Sequence, residues 1–246
     1  MSLVKGDGDR LFSRPILSGL PSIVAAAHEL KSPLALVRQL SLMLEDGNVS
    51  VSDQKKMLRQ ISLTSERALR LTSDLTRSAR LSDVLFELEP INPQQLCEDI
   101  IYELKPLFEA HNRNVRLRSR KHPLLIVANR DLLRRIIMNF SDNALYYSDV
   151  NSAIEIQINA LKSGKIIRLG VRDYGPALSS DMWRSLQSKL ASSSVAINAR
   201  PQSSGLGIYI SNQFADVMNG KIGITRHRDG STFYVDLQAS RQLSLL

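Results

Sequence analysis

The sequence lacks most of the features that mark secreted, membrane-spanning and metal-binding proteins. It has one cysteine, Cys97, in 246 residues, so it can form no internal disulfide and offers too few thiols for a structural zinc site. No apolar run approaches the roughly 18 residues needed to cross a membrane. The first residues, MSLVKGDGDRLFSRP, also lack the apolar stretch of a secretion signal. These absences favour a soluble, cytoplasmic chain, which can also be a piece of a longer membrane protein.

Aromatic residues are scarce, at 5% of the chain, and acidic residues are outnumbered, with 24 Asp and Glu against 32 Lys and Arg. The resulting net charge of +8 attracts phosphate-bearing partners, whether nucleotides, nucleic acids or anionic membranes. In the densest basic stretch, Arg116, Arg118 and Arg120 occupy alternate positions and therefore line one face of a predicted strand. No aromatic residues are interleaved there and no nucleic-acid-binding signature is present, so we do not expect a nucleic-acid partner.

The first third of the chain has the periodicity of two helices, each with an apolar seam along one face. The residues Asp46, Gly47 and Asn48 separate the helices, and Ser52 is a suitable N-cap for the second one. The seam positions, three or four residues apart, are Ile23, Ala27, Leu30, Leu34, Val37, Ser41 and Leu44, then Met57, Ile61, Thr64, Ala68, Leu71 and Leu75. One such hairpin buries little apolar surface, so we expect two copies to pack into a homodimeric four-helix bundle. This domain is predicted to cover residues 20–89, after a linker of residues 1–19.

The rest of the chain, residues 90–246, is predicted to form a second domain. Pro90 and Pro93 disfavour continued helix and set the boundary. Helices are expected over 93–110, from 131 onward and over 206–218, and strands over 114–118, 124–127, 154–158, 165–171, 221–225 and 231–237. Residues 179–204 are polar and rich in serine. Because the elements alternate without a strict βαβ period, the predicted fold class is an α domain followed by an α/β sandwich with helices on one sheet face.

One candidate reactive residue is His28, which opens the segment HELKSP. It follows the seam position Ala27 and therefore faces outward beside the seam. An exposed imidazole can attack phosphorus when its other ring nitrogen is hydrogen-bonded, and Glu29 is a candidate acceptor and base. His-Glu also begins a zinc-protease pattern, but Ser32 stands where that pattern needs its second histidine. An ordinary surface histidine is the alternative interpretation.

Three later segments have residue types that suit a nucleotide. Asn139 and Asn143 share a helix face, and an amide oxygen suits Mg²⁺. Asp173 ends a predicted strand, where its carboxylate can accept a hydrogen bond from an adenine amino group. Gly205 and Gly207 open a predicted helix, whose free N–H groups and dipole favour phosphate. Each signal is weak alone, because asparagines on helices usually face solvent and Asp-x-Gly usually marks a turn.

In combination, these segments resemble the cytoplasmic core of a sensor histidine kinase. HELKSPL, preceded by IVAAA, resembles the H-box of the HisKA-type dimerisation and phosphotransfer domain. NFSDNALYYS, RDYGPA and SSGLGIYI resemble, in this order, the N-box, G1 box and G2 box of the GHKL-type ATP-binding domain. The closing NGKIGITRHRDGSTFYVDL resembles the final hairpin of that domain. The resemblance extends from about residue 20 to about residue 238 and implies ATP and Mg²⁺ as ligands.

The resemblance also assigns roles to individual residues. It makes His28 the phosphate acceptor, Glu29 its acid–base neighbour and Ser32 the residue that orients water when a partner is dephosphorylated. Pro33 matches the proline that bends the helix. In the second domain the implied roles are Mg²⁺ binding by Asn143, support from Asn139, adenine contact by Tyr147, adenine reading by Asp173, a turn at Gly175, phosphate binding at Gly205 and Gly207, and a lid contact to the γ-phosphate by Arg200.

The implied activity is ATP-dependent autophosphorylation of His28, followed by transfer to an aspartate of a response-regulator receiver domain. Such a homodimeric core is either cytoplasmic by itself or the cytoplasmic part of an inner-membrane sensor. Tyr146, Ala177 and Ser203 replace a basic residue and two glycines common in the family, and no phenylalanine-containing F-box is evident. These departures keep open a degenerate kinase that acts mainly as a phosphatase or scaffold. Another ATPase of the GHKL superfamily is a third interpretation.

Overall fold

The computed structural model describes residues 20–79, 86–119, 124–192 and 206–240. The chain begins with a helical hairpin, in which α1 spans Leu20–Glu45 and α2 spans Val51–Ala79, and the two helices pack against each other. The hydroxyl oxygen of Ser50 accepts a hydrogen bond of 3.2 Å from the amide of Asp53. Ser50, and not the predicted Ser52, therefore caps the start of α2.

The hairpin has almost no core of its own. Among its described side chains, only Leu40 and Asp74 are buried. Leu40 lies outside the predicted seam and packs within the hairpin, whereas the seam residue Leu34 is 60% exposed. The other large apolar side chains that are exposed on the two helices are Leu42, Met43, Val51, Leu58 and Leu69. The hairpin therefore leaves apolar surface for contacts beyond this chain.

The second part of the chain is a mixed α/β unit. Its elements, in order, are β1 (Glu89–Ile91), α3 (Pro93–Ala110), β2 (Asn114–Ser119), β3 (Ile126–Ala128), α4 (Arg130–Tyr147), β4 (Ala153–Leu161), β5 (Ile166–Tyr174), α5 (Ser180–Ser192), α6 (Leu206–Val217), β6 (Lys221–His227) and β7 (Gly230–Gln238). All the predicted helices and strands of this part are present within a few residues. Helix α5 is an addition, since the sequence predicted only a polar, serine-rich stretch there.

The main sheet has five strands in the order β2-β4-β5-β7-β6. Strands β2 and β4 are parallel, and all other neighbours in this sheet are antiparallel. Strands β1 and β3 form a separate antiparallel pair. Strand β5 occupies the centre; its pairing with β7 extends to Tyr174, whereas its pairing with β4 ends at Arg172.

Helices α3, α4 and α6 cover one face of this sheet, as the sandwich prediction requires. The helices contribute fully buried side chains such as Phe108, Phe140 and Phe214, and these belong to one apolar cluster with Ile156 of β4 and Leu169 of β5. Short loops and caps fix the helix ends; for example, Asn92 accepts hydrogen bonds from the amides of residues 94 and 95 at the start of α3. This core, and not the hairpin, positions the candidate site.

The structure describes both the single cysteine and the helices in which an apolar membrane span could lie. Cys97, on α3, is buried in the core, and burial raises the pKa of its thiol to about 12, so the thiol is unreactive. None of the described helices is both long and apolar enough to cross a membrane.

Candidate active site

The end of β5 carries a fixed, buried carboxylate. Asp173 is only 3% exposed. Its partner across the sheet is Ser231 of β7, whose amide donates a hydrogen bond of 3.2 Å to Oδ1 of Asp173 and whose hydroxyl donates one of 2.5 Å to Oδ2. Donors on both oxygens compensate the burial of this carboxylate and set its orientation.

Gly175 lies where the end of β5 packs against the end of α4. A Cβ atom at this position would overlap the backbone carbonyl oxygen of Tyr147 and would lie 3.2 Å from Cα of Ser148. The same junction is closed by a hydrogen bond of 2.8 Å from the Asp149 amide to the Tyr174 carbonyl. Close packing against the end of α4 therefore requires glycine at position 175. The sequence analysis assigned this glycine to a turn, so the residue is the same and the physical reason is different.

Helix α4 also contacts the start of α6 through Asn139. The Nδ2 atom of Asn139 lies 3.4 Å from the carbonyl oxygen of Gly207 and 3.2 Å from Oγ of Ser211, and donates to both. Asn143, one turn further along α4, is partly buried and has no hydrogen-bond partner among the residues that the structure describes. Asn139 thus supports the helices, and the amide of Asn143 is available for a ligand.

The aromatic pair Tyr146 and Tyr147 lies at the end of α4, with ring centroids 4.9 Å apart in an edge-to-face arrangement. Tyr147 is partly buried beside the Gly175 junction, whereas Tyr146 is exposed. Tyr147, the residue predicted to contact adenine, is therefore the one of the two that packs at the Gly175 junction.

The beginning of α6 presents the backbone N–H groups of a helix start, a group type that suits phosphate oxygens. Gly207 lies in the first turn, and a Cβ atom there would come no closer than 3.9 Å to Asn139. Packing within this structure therefore does not require glycine at position 207. The predicted site residues Arg200 and Gly205, together with Ser203, lie outside the described residues.

The residues present fit a nucleotide with a divalent cation. A buried, oriented carboxylate, an amide without a partner and a helix start come from three segments that Gly175 and Asn139 join directly. Ala177, where the family commonly has glycine, is exposed and does not have a positive φ. The backbone at Ala177 is therefore not strained in this structure.

The remaining predicted residues lie on the hairpin. His28, Glu29 and Ser32 are all within α1, and Ser32 is exposed. The side chains of His28 and Glu29 are not among those described. His28 and Ser32 are four residues apart and so share one face of α1, and Pro33 lies inside the same helix. The ATP-binding part of the chain contacts this hairpin, since α6 contacts both α1 and α2.

Comparison with known proteins agrees with this geometry. Residues 128–241 match the model of the histidine kinase-, DNA gyrase B- and HSP90-like ATPase family. This segment is similar to the ATPase domains of that family, and we call it the ATPase domain. It includes the N-box segment, the buried Asp173 and the final hairpin.

Curated relatives match the hairpin as well as the ATPase domain. The histidine protein kinase SaeS of Staphylococcus epidermidis is 27% identical over 217 residues, which cover 86% of this chain and 61% of that protein. The SaeS protein of Staphylococcus aureus is 28% identical over 214 residues, with the same coverage. The predicted resemblance to a sensor histidine kinase core is confirmed by these matches. The chain spans about three-fifths of the length of these relatives.

Solved structures share the fold. Histidine kinase ThkA, in complex with the response regulator protein TrrA, superposes with a TM-score of 0.62 at 18% identity, covering 91% of this chain and 63% of that one. Acinetobacter baumannii histidine kinase AdeS gives a TM-score of 0.57 at 16% identity, covering 87% and 98%. Both matches include more of the chain than the ATPase domain alone.

Ser231 is a site residue that the sequence analysis did not identify. It lies in the segment DGSTFYVDL, which was assigned only to the final hairpin. The pairing of β5 with β7 places it opposite Asp173. A register argument from the two predicted strands, with Asp173 at the end of one and Gly230 at the start of the other, could have located it.

Proposed function

We propose that this chain is the catalytic core of a sensor histidine kinase, which uses ATP to phosphorylate His28 and passes the phosphoryl group to a response-regulator aspartate. The observation that carries the proposal is the junction of the three ATP-binding segments through Gly175 and Asn139, in an ATPase domain whose α6 contacts the helix bearing His28. The similarity of residues 128–241 to that ATPase family and the histidine kinase relatives support it.

In this proposal the ATPase domain binds and orients the nucleotide. The carboxylate of Asp173, held by Ser231, accepts a hydrogen bond from the adenine amino group, and Tyr147 packs beside the base. The amide oxygen of Asn143 is a ligand of Mg²⁺, which neutralises phosphate charge when bound. The first turn of α6 donates backbone N–H groups to phosphate oxygens. The related structure of ShkA, solved with AMPPNP, is consistent with a nucleotide in this kind of domain.

The phosphotransfer step is assigned to the hairpin. A ring nitrogen of His28 attacks the γ-phosphorus, and the N–P bond forms as the bond between that phosphorus and the oxygen bridging to the β-phosphate breaks, leaving ADP. Glu29 accepts the proton from the other ring nitrogen. Most of the rate enhancement then comes from positioning and from charge neutralisation.

We infer that the working form is a homodimer. The hairpin buries one leucine and exposes Leu34 on its predicted seam, so a second copy is the natural partner for the seam. A response-regulator receiver domain is proposed as the phosphoryl acceptor, and the complex of ThkA with TrrA supports such a partner. Ser32, exposed on the His28 face of α1, is proposed to act when that partner is dephosphorylated.

The decisive experiment is labelling with γ-³²P-ATP and magnesium. We expect wild-type protein to become labelled, His28→Ala to show no label, and Asn143→Ala to lose most of it. His111→Ala is the matched control, because His111 is an exposed histidine at the end of α3, and it should label normally. Label that survives in His28→Ala would contradict the proposal.

The same labelling assay distinguishes a degenerate kinase from an active one. Absence of label in wild type, with retained removal of phosphate from a phosphorylated receiver domain that Ser32→Ala slows, would favour the degenerate kinase. ATP hydrolysis without any labelled protein would favour another ATPase of the superfamily.

A further inference from the structure

The C-terminal half of α2 contacts the ATPase domain through both apolar and polar side chains. Leu71 and Leu75 pack, partly buried, against the apolar core of that domain. Nη1 of Arg77 lies 3.5 Å from Oδ2 of Asp131 at the start of α4. The Ser78 hydroxyl donates to the side chain of Gln213 on α6. We call this packing of α2 against α4 and α6 the docked arrangement.

Asp74 is the buried residue of this contact. It is 3% exposed, on a hairpin whose other described side chains, apart from Leu40, are exposed or partly exposed. Nε of Arg135, from α4, lies 3.3 Å from Oδ1 of Asp74. The two are not aligned for a hydrogen bond, and Oδ1 accepts none from the residues that the structure describes. The contact therefore removes a carboxylate from water without giving that oxygen a donor in return.

The electrostatic environment of Asp74 is mixed. Four charged side chains act on it: Arg70 and Arg77 from its own helix, and Arg135 and Asp142 from α4. The α6 residue at this contact, Gln213, is neutral. Burial raises the pKa of Asp74 to about 6, and the three arginines oppose this rise only in part. The ionised carboxylate is thus less favourable in the docked arrangement than in water.

The sign of the resulting pH dependence follows from linkage. When α4 is separated from α2, Asp74 is hydrated and its pKa returns toward the ordinary value of 3.8. Because the pKa of Asp74 is higher in the docked arrangement than in water, protonation of Asp74 stabilises docking, and this stabilisation is complete at pH values below 3.8. That stabilisation is lost as the pH rises through about 6. Docking therefore takes up a proton, and neutral pH weakens it.

We propose that Asp74 keeps the docking of the ATPase domain on the hairpin reversible, by burying an incompletely bonded carboxylate at the centre of the contact. Arg135 limits the cost of this burial but does not remove it. The ATPase domain can consequently leave α2 at neutral pH, and it exposes this face of the hairpin when it does. The proposal goes beyond the kinase activity and does not depend on it, because docking needs no ATP.

The test compares the full chain with two variants by small-angle X-ray scattering at pH 7.5 and pH 5. Asp74→Asn retains the shape without the charge, and Glu66→Gln, at an exposed position on the same helix, is the matched control. We expect docking of the wild type to strengthen about tenfold from pH 7.5 to pH 5. Asp74→Asn should be more docked at pH 7.5, by a factor on the order of 100, and should lose this pH response. Glu66→Gln should follow the wild type.

Two results would overturn the proposal. One is an Asp74→Asn protein that is less docked than the wild type, which would mean that the ion pair with Arg135 stabilises docking. The other is a variant with the same profile and pH response as Glu66→Gln. Circular dichroism verifies that the variant is folded. If it is not, carboxyl-carbon NMR of wild-type Asp74 decides, since a titration midpoint near 6 supports the proposal and one near 4 contradicts it.

Discussion

The hairpin and the ATPase domain achieve their stability in opposite ways. The ATPase domain buries the apolar faces of three helices against one sheet, and Phe108, Phe140 and Phe214 are all within its core. The hairpin buries Leu40 and leaves Leu34 exposed. The ATPase domain therefore contains what it needs to fold, whereas the hairpin depends on a second copy or on the docked domain. Four experiments probe these two parts of the chain, from the largest expected effect to the smallest.

The largest effect is expected for Phe214→Ala in the core of the ATPase domain. Removing a fully buried phenylalanine should lower the free energy of unfolding by about 3–5 kcal/mol. Urea unfolding followed by circular dichroism measures this loss, which should not depend on protein concentration. A loss below 1 kcal/mol, or one that varies with concentration, would show that this domain is not an independent unit. Tyr102→Ala, at an exposed position on α3, is the control.

Leu34→Ala tests the hairpin side of the contrast. We expect little change in the free energy of unfolding of a monomer, because Leu34 is 60% exposed within one chain. Dimer association should become less favourable by about 1.5–3 kcal/mol for each subunit. Sedimentation equilibrium across a concentration series measures it, with Lys56→Ala as the exposed, polar control on α2. An unchanged monomer–dimer equilibrium would remove the seam from the interface.

Gly175→Ala and Gly207→Ala compare two glycines of the same candidate site. The first substitution places a methyl group against the Tyr147 carbonyl, so it should cost about 1–3 kcal/mol of stability. At the second position a Cβ atom would make only an ordinary contact, 3.9 Å from Asn139, and the residue lies in a helix, where alanine is the better residue by about 1 kcal/mol. Thermal unfolding of both variants decides, and equal stabilities would contradict the assigned close packing at Gly175.

Ser231→Ala should have the smallest effect. It removes the hydroxyl donor to Oδ2 of Asp173 and leaves the backbone donor to Oδ1 in place. One hydrogen bond contributes about 0.5–1.5 kcal/mol, so nucleotide affinity should fall roughly two- to tenfold. Isothermal titration with an ATP analogue measures the change, and Ser231→Thr should restore most of the affinity. Unaltered binding in Ser231→Ala would mean that Asp173 needs no support from β7.

Local signals in the sequence predicted most of the fold. Three of these signals depend on neighbouring residues alone: Pro90 and Pro93 at the domain boundary, the alternating Ile154, Ile156 and Ile158 of β4, and Asn219-Gly220 after α6. The strand and the helix that they mark appear where predicted. The error at the start of α2 was small, because Ser50 and Ser52 are equally good caps by residue type. Helix α5 was missed, because its few apolar residues stand among serines and charges.

What the sequence did not predict depends on contacts between distant segments. Arg116 and Arg118 were assigned to one face of a strand, and their side chains are exposed in the structure. Their guanidinium groups also lie 2.5 and 3.3 Å from the carboxylate of Glu155, which is only 2% exposed. Although burial opposes ionisation, hydrogen bonds from Arg116, Gln157 and Arg118 leave the pKa of Glu155 below its usual value. The pairing of Asp173 with Ser231 and the burial of Asp74 likewise arise only when elements far apart in the chain meet.

The central position of β5 has a consequence for local unfolding. Its end carries Asp173, which pairs with Ser231 of β7 and directly follows Arg172, the last residue of β5 that pairs with β4, so exposing the backbone amides there requires the sheet to open. The first turn of α6 is not part of a sheet, and its amides can exchange when one helix end frays. Without nucleotide, hydrogen exchange should therefore be slow at the adenine end of the site and fast at the phosphate end. Nucleotide should then protect mainly the phosphate end, so that the ligand completes a site of which one half is already rigid.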